Sequence, residues 1–388
     1  MASIRKRVWT APNGEEKTAW LVDYRDGAGK RRFKQFARKK DADVWNTAAA
    51  WQVQQGIHTA DSQSVTVAAA ADIWLKAAEA NQRERGTIDQ YKQLRDLHIV
   101  PLIGAEKLSR LTQPRIEAFR DQLLGTRSRD LTHKTVRALS RILAEAQRRG
   151  LIAQNVAREV KVAKSKRGKP KVIIPTRDEL RAMLAAADEV MKPLLMVAIF
   201  AGLRASELRG LRWVDVDLKA KTLSVRQRAD KYRDLGPPKS EAGYRTIPLA
   251  AAVVQELRSW KLRCPKGDAG LVFPNRDGGV QDYSHLMRRR FFPLQIKAGV
   301  CDLVLDGKTP KLDKKGEPMM QARYGLHSLR HAAASAWIAQ RIDLKRLQVW
   351  IGHENIELTI DTYGHLLEDA ASDAQLIAGA QAELLAGA

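Results

Sequence analysis

Between Lys161 and Lys171 stand six Lys or Arg residues together with Gly168 and Pro170. Such a stretch has nothing to bury and interrupts regular structure, so no single core can run through it. The chain must therefore fold as separate domains joined by an extended basic connector. Its 388 residues are enough for two or three. Just beyond the connector, Thr176-Arg177-Asp178-Glu179 has the pattern of a capping box. A Thr hydroxyl and a Glu carboxylate three residues apart can satisfy the first free amides of a helix, so a new domain opens there.

The first forty residues hold two tight-turn signals, Asn13-Gly14 and Asp26-Gly27, between stretches of β-type composition at Ile4–Thr10, Thr18–Tyr24 and Arg31–Phe36. These predict a three-stranded antiparallel sheet. Ala42, Trp45, Ala49 and Val53 recur at helical spacing within Lys40–Gln55, a helix that would cover one face of that sheet. From Val65 to Val160 the pattern is all-helical, with four amphipathic basic helices and turns expected at Gly86, Gly104 and Gly125. After Thr176 helices again predominate, interrupted by a strand-rich stretch at Leu218–Leu249. A polar, Lys-rich stretch at Val304–Arg323 is expected to form a surface hairpin.

The expected fold is thus multidomain and mainly α. It comprises a small N-terminal three-stranded sheet plus helix (1–62), a four-helix domain (65–164), the basic linker (165–172), a mixed domain of helices with a small β-sheet (173–368) and an Ala-rich helical tail (369–388).

Lys and Arg number 67 against 44 Asp and Glu, a formal charge of +23 that calls for an anionic partner, with nucleic acid foremost. The charge is spread along the chain. Arg5, Lys6, Arg7, Arg31, Arg32 and Lys34 sit on the N-terminal strands, which could enter a DNA groove, and Lys164, Lys166, Arg167 and Lys169 sit on the connector, which could follow a phosphate backbone. Cys264 and Cys301 lack metal-ligand spacing and suit a reducing cytosol. The first residues have no apolar segment after the charges, and no run approaches the length of a membrane span, so a cytoplasmic protein without membrane partners is expected.

Four separated motifs carry chemistry. In Ala201-Gly202-Leu203-Arg204-Ala205-Ser206-Glu207-Leu208, Arg204 is a candidate clamp for a phosphate, with Glu207 supporting it one turn on. In Pro238-Lys239-Ser240, a Lys is expected near a hairpin tip ahead of a strand. In Gly325-Leu326-His327-Ser328-Leu329-Arg330-His331, His327 and Arg330 share a helical face and could bracket one phosphate. His327 and His331 also have the spacing of a zinc helix, but Ser328 stands where such a motif needs Glu, and no third ligand is indicated. The fourth motif is Gly352-His353-Glu354, followed ten residues after His353 by Tyr363. Each alone reads as an ordinary surface or packing residue.

In this order and spacing the motifs resemble the tyrosine recombinase family, the phage-integrase type of site-specific recombinase. The resemblance implies a site-specific DNA recombinase of a phage or mobile element that cuts and rejoins DNA by sequential strand exchange through a 3′-phosphotyrosyl intermediate. Tyr363 would be the nucleophile, Arg204 and Arg330 the clamp, Lys239 the acid for the leaving 5′ oxygen, His327 a phosphate ligand or an aid to proton transfer near neutral pH, and His353 a phosphate ligand. No metal or nucleotide cofactor is implied, since a covalent phosphotyrosine keeps the bond energy. The resemblance also implies an N-terminal arm-site-binding domain, a core-site-binding helical domain, attachment-site duplex DNA as partner and an assembly of four protomers. It leaves open a directionality factor and a host DNA-bending protein. A type IB topoisomerase would share the chemistry, and a non-catalytic DNA-binding regulator is the non-enzyme alternative.

Overall fold

The computed structural model describes residues 3–26, 29–54, 64–163 and 173–364. The chain divides into two compact units, Met1–Lys169 and Pro170–Ala388. Lys164, Lys166, Arg167 and Lys169 of the connector, and the tail 369–388, lie outside the described residues.

In the first unit, strands Ser3–Thr10, Glu16–Arg25 and Arg31–Phe36 pair antiparallel in chain order. Gly14 takes φ +83° at the first turn, a conformation open to glycine at little cost. Helix Lys39–Gln54 sets Trp45 against Tyr24 and Phe36, at ring-centroid distances of 5.0 and 5.7 Å. The pleat then decides which basic residues share the helix-covered face, because directly paired residues project to the same side. Lys6 pairs with Trp20, Lys34 with Val22 and Arg32 with Tyr24, so these three belong to the helix side. Arg32 is ion-paired with Asp26 there, and Lys34 Nζ lies 4.7 Å from the Trp45 ring centre. Arg5, Arg7 and Arg31 project from the opposite face with the exposed Phe33.

The helical part comprises Val67–Ala80, Arg85–Leu94 continuing through residues 95–99 into Val100–Ile103, then Gln113–Thr126 and Arg129–Arg148. Ile99, Ile116, Phe119, Leu139 and Leu143 build its core. Of the three expected turns, Gly104 ends a helix, whereas Gly86 and Gly125 lie inside helices. The breaks are made elsewhere. Gln82 adopts φ +50°, and the Thr112 and Ser128 hydroxyls cap the next two helices.

In the second unit, helix Arg177–Ala186 starts with the expected capping box: Thr176 Oγ1 accepts from Glu179 N at 3.2 Å, and Glu179 Oε2 accepts from Thr176 N at 2.8 Å. Helix Met191–Ala201 is apolar almost all round and is buried at the centre of the core, which it must be to keep that surface from water. A three-stranded antiparallel sheet, Val216–Asp217, Thr222–Val225 and Arg245–Pro248, borders it, with a small hairpin, Arg228–Ala229 and Leu235–Gly236, inserted before the last strand. Helix Ala251–Arg263 follows. The expected surface hairpin forms as Cys301–Leu303 pairing with Met320–Ala322, with Leu305–Asp306 and Thr309–Pro310 paired further out. Helices Leu326–Ala339, Leu344–Ile351 and Ile356–Tyr363 are the last among the described residues. No helix among the described residues is long and apolar enough to cross a membrane.

Candidate active site

Two glycines shape the floor of the site. Helix Met191–Ala201 ends at Gly202 (φ +61°), and helix Leu344–Ile351 ends at Gly352 (φ +69°). Left-handed glycine caps turn the chain sharply and leave the last carbonyls without helical partners. Arginines take up those carbonyls. Arg330, only 1% exposed, donates from Nη1 to Gly202 O at 2.9 Å and from Nη2 to Ile351 O. Arg204 donates from Nη2 to Gly352 O at 2.7 Å. Both guanidiniums therefore tie segment 202–204 to the end of the same helix, whose negative dipole end favours cations.

Glu207 fixes Arg204 from the other side. Arg204 precedes helix Ala205–Gly210, and Glu207 in the first turn accepts from Arg204 N and from Arg204 Nη1, each at 2.8 Å. The same carboxylate receives Arg245 Nη1 and Nη2 at 3.0 and 2.7 Å. Burial alone would raise the Glu207 pKa, but the hydrogen bonds and charge of Arg245, followed by Arg204 and Arg330, hold it at about 2. Arg245 also donates to Trp350 O at 2.7 Å and to Gly243 O at 3.0 Å. A Cβ added at Gly352 would lie 2.9 Å from Arg245 Nη1. Glycine is needed there for clearance as well as for φ.

Tyr363 is the last residue of its helix and is 1% exposed. Its Oη lies 2.8 Å from His331 Nδ1, and the His353 ring lies nearly parallel to its own at a centroid distance of 6.4 Å. Burial pushes the phenol pKa up to about 12, against the opposing pull of Arg330 and Arg204. Burial and the same two cations lower His353 to about 4, while its Nδ1 shares a 2.9 Å hydrogen bond with Thr359 Oγ1. His327, more exposed, is lowered in the same direction by burial, Arg330 and Arg204. Its ring meets that of His331 edge-to-face at 4.6 Å.

The structure thus brings Arg204, Glu207, Arg330, His327, His353 and Tyr363 into one neighbourhood. Lys239 stands differently from expectation. Asp230 Oδ1 accepts from Tyr232 N and Asp234 N and closes the hairpin at residues 230–234, and Pro237 and Pro238 offer no amide to extend its ladder. Lys239 is therefore exposed on the return loop beyond the hairpin, not at its tip. Two residues had no assigned role from sequence. Arg245 occupies an inward position of strand Arg245–Pro248, alternating with Ile247, and a charge on a core-facing register signals a buried counter-ion. His331 lies one helical turn from His327, a spacing that pointed only to zinc.

Residues 174–369 match the family described as phage integrase. The chain belongs to the phage integrase family of tyrosine recombinases. Among its relatives is an integrase of Streptomyces ambofaciens, 26% identical over 380 residues that cover 90% of each chain. In fold, this family member is similar to the Tn1549 transposon integrase in complex with transposon right end DNA (TM-score 0.61, 19% identity, covering 83% of this chain and 100% of that one). It is likewise similar to the lambda integrase tetramer bound to a Holliday junction (TM-score 0.56, 19% identity, covering 90% and 95%).

Proposed function

We propose that this recombinase cuts DNA at a phosphodiester gripped by Arg204 and Arg330, with Tyr363 Oη attacking phosphorus. The P–O5′ bond breaks, leaving a 3′-phosphotyrosyl link and a 5′ hydroxyl that takes its proton from Lys239. A 5′ hydroxyl from the partner strand then attacks the same phosphorus and releases the tyrosine. Because one phosphate ester replaces another of similar energy, the exchange needs no ATP. Guanidinium forks can pair with nonbridging oxygens and stabilise the charge that grows in the transition state. His327 and His353, neutral at physiological pH, add hydrogen bonds to the same oxygens.

One observation carries this reading: two arginines fastened to the adjacent carbonyls of Ile351 and Gly352, within electrostatic reach of one buried phenol. In the same reading, residues 1–62 bind an arm site, 65–164 a core site, 165–172 follow a phosphate backbone, 173–368 perform catalysis, and the tail 369–388 either links neighbouring protomers or covers its own domain. Four protomers assemble on paired attachment sites, supported by the lambda integrase tetramer to which the fold is similar. A directionality factor and a host DNA-bending protein are further partners in this scheme.

A suicide substrate, nicked so that the cleaved end diffuses away, tests the core of the proposal. Wild-type protein should be trapped on labelled DNA in a denaturing gel, and Tyr363→Phe should bind the site without being trapped. Undiminished trapping by Tyr363→Phe would overturn the assignment.

A further inference from the structure

When Tyr363 Oη bonds to phosphorus its proton must go somewhere, and in the scheme above no residue receives it. With the phenol at about 12, only about one molecule in 10⁵ is ionised at pH 7, so the proton has to leave during attack to an acceptor within hydrogen-bond reach. Glu207 has both carboxylate oxygens committed to Arg204 and Arg245. His353 uses Nδ1 on Thr359. Among the described residues, the hydrogen-bond partner of Tyr363 Oη is His331, at 2.8 Å.

The surroundings of His331 suit an acceptor. Its neighbours are His327 and Arg330 on its own helix, Tyr363 at the end of helix Ile356–Tyr363, and His353 on the turn before that helix. Burial, then His327 and Arg330, press its pKa to about 4, so the ring is neutral and can present a lone pair at Nδ1 to the phenol while Nε2 carries the proton. In the empty site this low basicity keeps Tyr363 protonated. A phosphate seated on Arg330 brings a negative charge that offsets the cation pressing His331 down, so basicity rises when DNA arrives.

We propose that His331 is the proton acceptor for the nucleophile, an inference that rests on Tyr363 being that nucleophile. As the Oη–P bond forms and the P–O5′ bond breaks, the phenolic proton passes to His331 Nδ1, while O5′ takes a separate proton from Lys239. In resealing, the incoming 5′ hydroxyl gives its proton to the Lys239 amine as it attacks phosphorus, while the imidazolium returns its proton to Oη and the tyrosine is expelled. Proton transfer at nucleophile and at leaving group thus belongs to two different residues on two different segments.

Single-turnover cleavage separates the two roles. Two suicide duplexes are used, one with oxygen and one with sulfur at the 5′ bridging position, since a thiolate leaves without needing a proton. His331→Ala and His331→Asn should each cleave about 100-fold or more slowly on both duplexes. Asn offers a hydrogen-bond acceptor near the Nδ1 position but no comparable base, so it controls for simple positioning and for misfolding of the Ala variant. Lys239→Ala should be slow on oxygen and restored on sulfur. In the His331 variants the rate should climb about tenfold per pH unit between about pH 7 and 9, because phenolate must form beforehand, whereas wild type should vary less. Wild-type cleavage by His331→Asn, or rescue of either His331 variant by sulfur, would overturn the proposal. Failure of wild type to form any adduct, or adduct formation by Tyr363→Phe, would instead defeat the nucleophile assignment beneath it.

Discussion

Glu207→Gln probes the link between stability and catalysis most directly. The carboxylate accepts four hydrogen bonds, two from Arg204 and two from Arg245, and both it and Arg245 are almost fully buried. Two routes give the magnitude. A pKa held at about 2 instead of the ordinary 4.5 corresponds, at about 1.36 kcal/mol per pH unit, to about 3 kcal/mol. Removing one member of a buried ion pair costs about 3–5 kcal/mol, because the other charge is left uncompensated. For a unit of this size each kcal/mol moves the midpoint about 2–4 °C, so thermal unfolding at pH 7 should fall by about 6–20 °C. Because the folded pKa is depressed, this stabilisation is present in full above pH 4.5 and disappears as pH falls toward about 2. The acid limb of the wild-type stability curve should therefore be shallower in the variant. Combining Glu207→Gln with Arg245→Met removes both charges and should cost less than the two single losses together. A midpoint unchanged within about 1 °C, or strictly additive losses, would refute the reasoning.

Gly352→Ala should destabilise the catalytic unit by about 1–3 kcal/mol, since its φ is +69° and the new Cβ would crowd Arg245 Nη1 and Ala242 O. Cleavage should slow with it, because Arg204 is anchored on the Gly352 carbonyl; denaturant titration and suicide-substrate kinetics check both. In the N-terminal sheet, replacing Arg5, Arg7 and Arg31 together by Ala should weaken DNA binding and reduce its salt dependence. Replacing Lys6, Arg32 and Lys34 should instead act mainly on stability, through the Arg32–Asp26 pair and the Lys34–Trp45 contact; titrations at several salt concentrations separate the two sets.

Much of this molecule was legible before its fold. Turn dipeptides and β-type composition gave the N-terminal sheet, helical spacing gave the four-helix region, and Thr176 with Glu179 marked the start of a helix, because each signal is local and acts within a few residues. The ordered spacing of Arg204, Lys239, His327, Arg330, His353 and Tyr363 pointed to a family and its chemistry. Register and long-range closure decided the rest. Sequence could not say which of Arg5 and Lys6 faces the covering helix, nor that Asp230 would close the hairpin short of Lys239. It could not show Arg245 reaching the carboxylate of Glu207, or His331 meeting a phenol 32 residues away. Those partners are distant along the chain, and only packing of the helix ends at Gly202 and Gly352 turns a list of basic residues into a site with fixed distances and shifted proton affinities.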